Sequence, residues 1–381
     1  MRSLQLYSTN SSRRLLILLM AAHILGTIVA YAVYIRFTSL GDGYAPRDFQ
    51  AYDKLGASFL VHGVYYYLGT LLPSPGHGAG FLAPMTLGLV VAILTWHTFR
   101  DIYAYTNRLL FWTCNLLPHF LIWSGTTSKE QLMVILGIIV VRFAAKRSFG
   151  ASKLNITSLF FVLFSLAFIF YVRPNYCMIY FTIFVTSLFA PTLHKAKIHR
   201  FSIGIWALIF ILTTMLAIYF ASFNATFFNK DVIYWMDSVE MSFLGYEAGS
   251  NRTNIQWEDI PDFLYNSLWG IPQGFIGPTL VEAIKRPVQF PFFLEGVVYF
   301  FILCYLFVRL FKLAGASPML RVHILPFYFA ALVIVFVSYP YLIFNAGSAL
   351  RYKQTMHPIL IFYPLLILAY ARANNFIRKN H

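Results

Sequence analysis

Uncharged stretches of about 16 to 22 residues recur almost from one end of this chain to the other, separated by short basic clusters. That spacing limits the fold more than any other feature. As a helix, each stretch covers most of the roughly 30 Å of hydrocarbon in a bilayer. Water is absent there, so backbone N–H and C=O groups must pair within the segment, and a helix does this without a partner strand. Only 11% of residues are charged and 59% are apolar, whereas a soluble domain carries about 25% charge. The expectation is an all-α, polytopic integral membrane protein. A soluble fold leaves the scarcity of charge unexplained.

Hydropathy and charge together predict about ten transmembrane helices, over 15–35, 81–99, 109–124, 130–145, 156–172, 176–192, 202–222, 291–311, 323–344 and 355–372. With both termini in the cytoplasm, 18 of the 29 Lys and Arg residues fall on the cytoplasmic side. Of the 14 acids, only Asp101 falls there, twelve fall outside, and Glu295 lies within a span. Short basic turns on the inner side are what the positive-inside rule expects. The first span follows Arg13 and Arg14 and is long enough to cross, with no obvious small-residue cleavage site after it, so it is read as a retained anchor rather than a signal peptide.

Three segments follow. Residues 1–222 form an N-terminal transmembrane module that includes a first external loop, 36–80. Residues 223–290 form a large external loop with amphipathic helices, and 291–381 supply the C-terminal transmembrane helices. The middle of the first loop, FLVHGVYYYLG, reads as an interfacial or re-entrant helix with Tyr65, Tyr66 and Tyr67 at headgroup level. The second loop holds eight acids and Trp235, Trp257 and Trp269. Its WEDIPDFLYNSLW stretch predicts a short amphipathic helix and GIPQGFIGP a rigid turn.

Chemistry-bearing residues collect on the outer side. Asp48 and Asp53, in RDFQAYDKLG, stand just beyond the first span. A partly shielded carboxylate there can act as general base toward a hydroxyl, or hold a divalent cation (Mg2+ or Mn2+) against a phosphate. They can equally be the charged face of an interfacial helix. Lys129 and Glu130 open the fourth span. Glu130 suits a helix N-terminus, but Lys129 opposes the dipole unless an anion or acid faces it. Arg173, in the RPN turn, can snorkel or grip a lipid phosphate. Arg351 and Lys353, one residue apart before the last span, are the most anion-attracting pair, with His357 one turn further. Glu282 and Glu295 flank KRPVQFPFFLEG. An unpaired carboxylate at Glu295 is costly inside an apolar span, and Lys285, Arg286 or Arg351 are its expected partners.

Several classes are disfavoured. Cys114, Cys177 and Cys304 show no metal-ligand spacing and no disulfide framework. His23, His97 and His119 form no metal pattern. There is no phosphate-cradling glycine loop, no nucleophile signature, and no basic–aromatic run suited to nucleic acid. Asn224 and Asn251 lie in sequons that face outward.

Taken in order, GDGYAPRDFQAYDKLGASFLVHG, LLPHFLIWSGTTSKE, the RPN turn, GPTLVEA…FPFFLEG and RYKQTMHPILIFYP resemble the multispan GT-C glycosyltransferases and bacterial polysaccharide polymerases. The resemblance covers most of the chain in layout and some 60 residues in local pattern. It implies a GT-C-like enzyme of the bacterial inner membrane that uses a polyprenyl phosphate or pyrophosphate donor, a glycan acceptor and, as partners, other polysaccharide-assembly proteins. It maps catalysis onto Asp48, with Asp53 as substitute, and the donor phosphate onto Arg351. The family's adjacent acidic pair is absent, since Asp48 and Asp53 are separated. The rival classes are a lipid-linked glycan flippase or transporter, a membrane acyltransferase using His119 or His357, and a noncatalytic assembly subunit.

Overall fold

The computed structural model describes residues 9–30, 32, 82–124, 129–149, 155–195, 252, 260–316 and 318–379. Asp48 and Asp53, the rest of the first external loop and the predicted span at 202–222 lie outside them. The regular elements among the described residues are helices, apart from an isolated bridge residue at Asn345. The helices are α1 (Thr9–Val29), α2 (Leu82–Phe99), α3 (Arg108–Asn115), α4 (Pro118–Ser124), α5 (Lys129–Phe149), α6 (Ile156–Val172) and α7 (Pro174–Lys195). They continue with α8 (Ile260–Ile276), α9 (Leu280–Lys285), α10 (Phe290–Ala316), α11 (Pro318–Ile343), α12 (Ala346–His357) and α13 (Tyr363–Lys379).

Local chemistry explains most of the boundaries. Asn107 and Asn155 cap α3 and α6 through their side-chain oxygens, which accept from the N–H groups of Leu110 and Thr157. Pro118, Pro174 and Pro318 each open a helix, where a missing N–H costs nothing. The same proline chemistry divides the run at 109–124 into two helices of 8 and 7 residues. Pro118 disfavours helical geometry at Leu117, and the chain turns at Leu116.

Among the described residues, three apolar helical stretches are long enough to cross a membrane: Ser11–Val29, Pro287–Ala316 and Ala349–Asn374. Shorter apolar helices lie at Pro84–Phe99, Ile156–Val172, Tyr176–Phe189 and Ile324–Val335. The protein is therefore an all-α membrane protein. The lipid-exposed character is plainest on α6, where Phe160, Phe161, Leu163 and Phe164 are all exposed.

By packing, the chain divides into two compact units, Met1–Pro174 with Gln354–His381, and Asn175–Lys353. In the first, α2 packs on α1 and α5, and α13 returns to pack on α5. Its core is aromatic: Phe99 meets Phe111 and Phe362 edge-on, and Phe120 meets Phe362 likewise. A π-helical turn, Pro358–Phe362, carries the last of these rings.

In the second unit α8, α10 and α11 pack on one another. The sequence predicts a turn at GIPQGFIGP, but α8 continues to Ile276 with Pro272 inside it. Gly270 and Gly274, four residues apart, lie flush against Tyr339, Ile343 and Leu342 of α11. Small residues at that spacing allow close approach of helix backbones in a membrane, and the contact holds the helix through the proline.

Candidate functional site

The second unit gathers its buried charges around Gly277, the residue that ends α8. Its φ of 89° is left-handed, which glycine adopts without strain. The Gly277 carbonyl accepts from Arg252 Nη2 at 2.6 Å and from Gln273 Nε2 at 3.0 Å. Arg252 also donates to both carboxylate oxygens of Glu282 at 2.8 Å, and to the Ile343 carbonyl at 2.8 Å. Its backbone N–H reaches the Phe344 carbonyl. One arginine from the large loop thus ties together the ends of α8 and α11 and the start of α9.

Glu282 works on both sides of that junction. Its carboxylate accepts from the Thr279 N–H at 2.6 Å while the Thr279 hydroxyl accepts from the Glu282 N–H, a complete capping box. Burial by itself raises the pKa of this carboxyl, but hydrogen bonds and charge from Arg252, with the hydrogen bonds from Thr279, outweigh it and hold the pKa below its ordinary value.

On the other side of Gly277 stands Lys353. Its Nζ lies 3.5 Å from Glu295 Oε1, with the two side chains 0% and 1% exposed. It also lies 5.6 Å from the centroid of the Tyr299 ring. At 3.5 Å the ion pair is looser than a good N–H···O bond, and Nζ makes no well-formed hydrogen bond among the described residues. A Cβ placed on Gly277 would come within 3.5 Å of Nζ. The ammonium thus stands close against the left-handed turn at Gly277. Phe275 stacks on Tyr299 and closes this corner with an apolar wall.

In the first unit, Arg173 Nη2 donates to Glu130 Oε1 at 2.9 Å, with Glu130 fully buried. Glu130 sits in the first turn of α5 and Arg173 caps the end of α6. Lys129, half-buried, is the first residue of α5. His357 is buried between Phe120, stacked at 4.2 Å, and His119 at 5.4 Å.

Of the residues singled out in the sequence, Glu295 and Lys353 meet, and so do Glu130 and Arg173. Glu295 is expected to pair with Lys285, Arg286 or Arg351. Lys353 pairs with it, while Lys285 and Arg286 are exposed. Two residues of helix set the Cα–Cβ directions of Arg351 and Lys353 roughly 200° apart, Lys353 being buried and Arg351 half-buried. Arg252, buried and bonded to Glu282 and to the carbonyls of Gly277 and Ile343, has no motif to mark it. Its one sequence signal is that it is the sole Lys or Arg in the acid-rich stretch from Asp231 to Asp262. Among the described residues no group of three His, Cys, Asp or Glu side chains is arranged to hold a metal.

These observations define an all-α membrane protein with buried acid–base pairs at its helix ends. No family model matches the chain, and no curated protein or solved structure matches it.

Proposed function

We propose that the chain is a membrane glycosyltransferase, or a polymerase of the same chemistry, with about ten crossings in a GT-C-like arrangement and both termini in the cytoplasm. It transfers a sugar or oligosaccharide from a polyprenyl phosphate or pyrophosphate carrier to a glycan acceptor at the periplasmic face of a bacterial inner membrane. The observation that carries this proposal is Lys353: a buried ammonium, loosely paired with Glu295 and making no well-formed hydrogen bond among the described residues. Ionisable groups buried among membrane helices mark functional sites by default, and an ammonium with unused donors suits a phosphate oxygen.

The acceptor hydroxyl attacks the anomeric carbon, the bond from that carbon to the phosphate oxygen breaks, and the departing phosphate keeps the electron pair. Asp48 or Asp53 takes the hydroxyl proton. Lys353, with Arg351, stabilises the charge on the phosphate, and a divalent cation can share that role. Glu130 and Arg173 are a second acid–base pair available to orient substrate.

A flippase or transporter for the lipid-linked glycan is the alternative, favoured by the same buried Lys353–Glu295 pair, since transporters bury paired charges among broken helices. Depth argues against it. Glu295 is the sixth residue of the 27-residue α10, only about 8 Å from the helix start, whereas transporter sites lie near the midplane. The test is transfer of labelled sugar from a panel of polyprenyl-linked donors to acceptor by the full-length protein. Transfer lost in folded Asp48→Asn supports the assignment, and transfer retained there removes Asp48 as the base.

A further inference from the structure

The far end of α5 has a different charge balance from its start. Lys146 lies sixteen residues beyond Glu130, about 24 Å along the helix, and it sits beside Arg142, Arg100 and Asp101. Asp101 is the carboxylate shared by this group: Oδ1 is 3.3 Å from Arg100 Nε and Oδ2 is 3.7 Å from Lys146 Nζ. Arg142 Nη2 lies 2.5 Å from His97 Nε2. An arginine is always a donor, so that ring nitrogen accepts and the imidazole is neutral, adding no negative charge.

Arg100 lies over the Trp96 ring at 5.1 Å, and the Trp96 indole N–H donates to the Ser12 carbonyl at 2.9 Å. That bond brings the first turns of α1, with exposed Arg13 and Arg14, to the same end of the unit. Three cations thus surround one carboxylate, with Arg13 and Arg14 at the same end of the unit. The side chains of Arg100, Asp101 and Lys146 are 37%, 52% and 33% exposed, so the surplus positive charge is within reach of a ligand.

We propose that this end of the first unit is a binding site for a phosphate-bearing headgroup. Guanidinium forks match phosphate oxygens in pairs. The site lies where apolar helices end and a tryptophan marks the interface, so an anionic phospholipid supplies that phosphate. The assignment is independent of any transfer activity and falls on the side that the basic turns place in the cytoplasm.

The test uses the full-length protein in a neutral detergent, with phosphatidylglycerol or phosphatidylcholine added and bound lipid counted by native mass spectrometry. Wild type is expected to prefer phosphatidylglycerol. Lys146→Gln and Arg100→Gln should each weaken that preference by roughly fivefold, from about 1 kcal/mol per surface cation. Asp101→Asn, which removes the competing carboxylate, should strengthen it by a similar factor. A purely structural role for these residues moves all three variants the same way, so a loss in Asp101→Asn overturns the proposal, as does a preference unchanged in all three. Inorganic phosphate is the second arm. If it competes the lipid off at equal concentration, the anion site stands but the lipid source is overturned; if it does not, the lipid is the ligand.

Discussion

Lys353 Nζ lies 3.5 Å from Glu295 Oε1 in the interior of the second unit, neither side chain reaching solvent. Two opposite charges in such a place are far less costly together than either is alone. Removing one partner strands the other and costs about 3–5 kcal/mol, whereas replacing both with apolar residues is often close to neutral. Lys353→Met and Glu295→Leu should therefore each lower the unfolding temperature in detergent, and the double variant should recover most of the loss. Additive losses in the double variant contradict the pairing.

Gly296 supports the same corner through its lack of a side chain. A Cβ there would overlap the Ile276 carbonyl, which belongs to backbone and has no side-chain freedom to move aside. Gly296→Ala should destabilise at the upper end of, or beyond, the roughly 1–3 kcal/mol typical of overpacking. Gly315→Ala, with nothing within 4 Å, is the matched control and should be neutral or better. Thermal unfolding of the two variants decides it, and equal behaviour contradicts the close crossing of α8 and α10.

The junction of Arg252 and Glu282 gives a pH dependence with a definite sign. The folded-state pKa of Glu282 is held below its ordinary value of 4.5. A depressed carboxyl contributes stability that is fully present above the ordinary pKa and is lost as pH falls through the folded one. Hydrogen exchange in residues 279–286 should be slow at neutral pH and accelerate, relative to intrinsic rates, below about pH 4.5. In Glu282→Gln the protection should already be reduced at neutral pH and should not change further on acidification. A wild type whose protection is flat across that window contradicts the assignment.

Much of the helical layout was legible in the sequence because apolar length, helix-opening prolines and Asn caps act locally. The division of the 109–124 run is legible in hindsight, since Pro118 supplies a local reason for it. Continuation of α8 through Pro272 is not, because its cause is contact of Gly270 and Gly274 with a helix some 70 residues away. Lys353 is not legible as a partner of Glu295 beside Lys285, Arg286 and Arg351, because tertiary packing decides which side of α12 meets α10. Little beyond its isolation among acids marks Arg252, as hydrogen bonds to the carbonyls of Gly277 and Ile343 leave no trace in residue type.

Glu130 and Arg173 should respond unequally to substitution. Glu130→Gln keeps an oxygen that can accept from Arg173, but Arg173→Leu leaves a buried carboxylate without its cation. Arg173→Leu is expected to be the less stable of the two by about 1–3 kcal/mol. Unfolding midpoints in the reverse order contradict a structural ion pair at this site.

The central claim is sugar transfer from a polyprenyl-linked donor. Its most direct measurement follows free polyprenyl phosphate or pyrophosphate in proteoliposomes that carry the full-length protein, a lipid-linked glycan and an acceptor. The account predicts carrier release by wild type and its loss in folded Asp48→Asn. Lys353→Arg should retain more activity than Lys353→Met, because a cation is kept opposite the leaving phosphate. Lipid-linked glycan that crosses the bilayer with no carrier released would contradict the claim and make the protein a transporter.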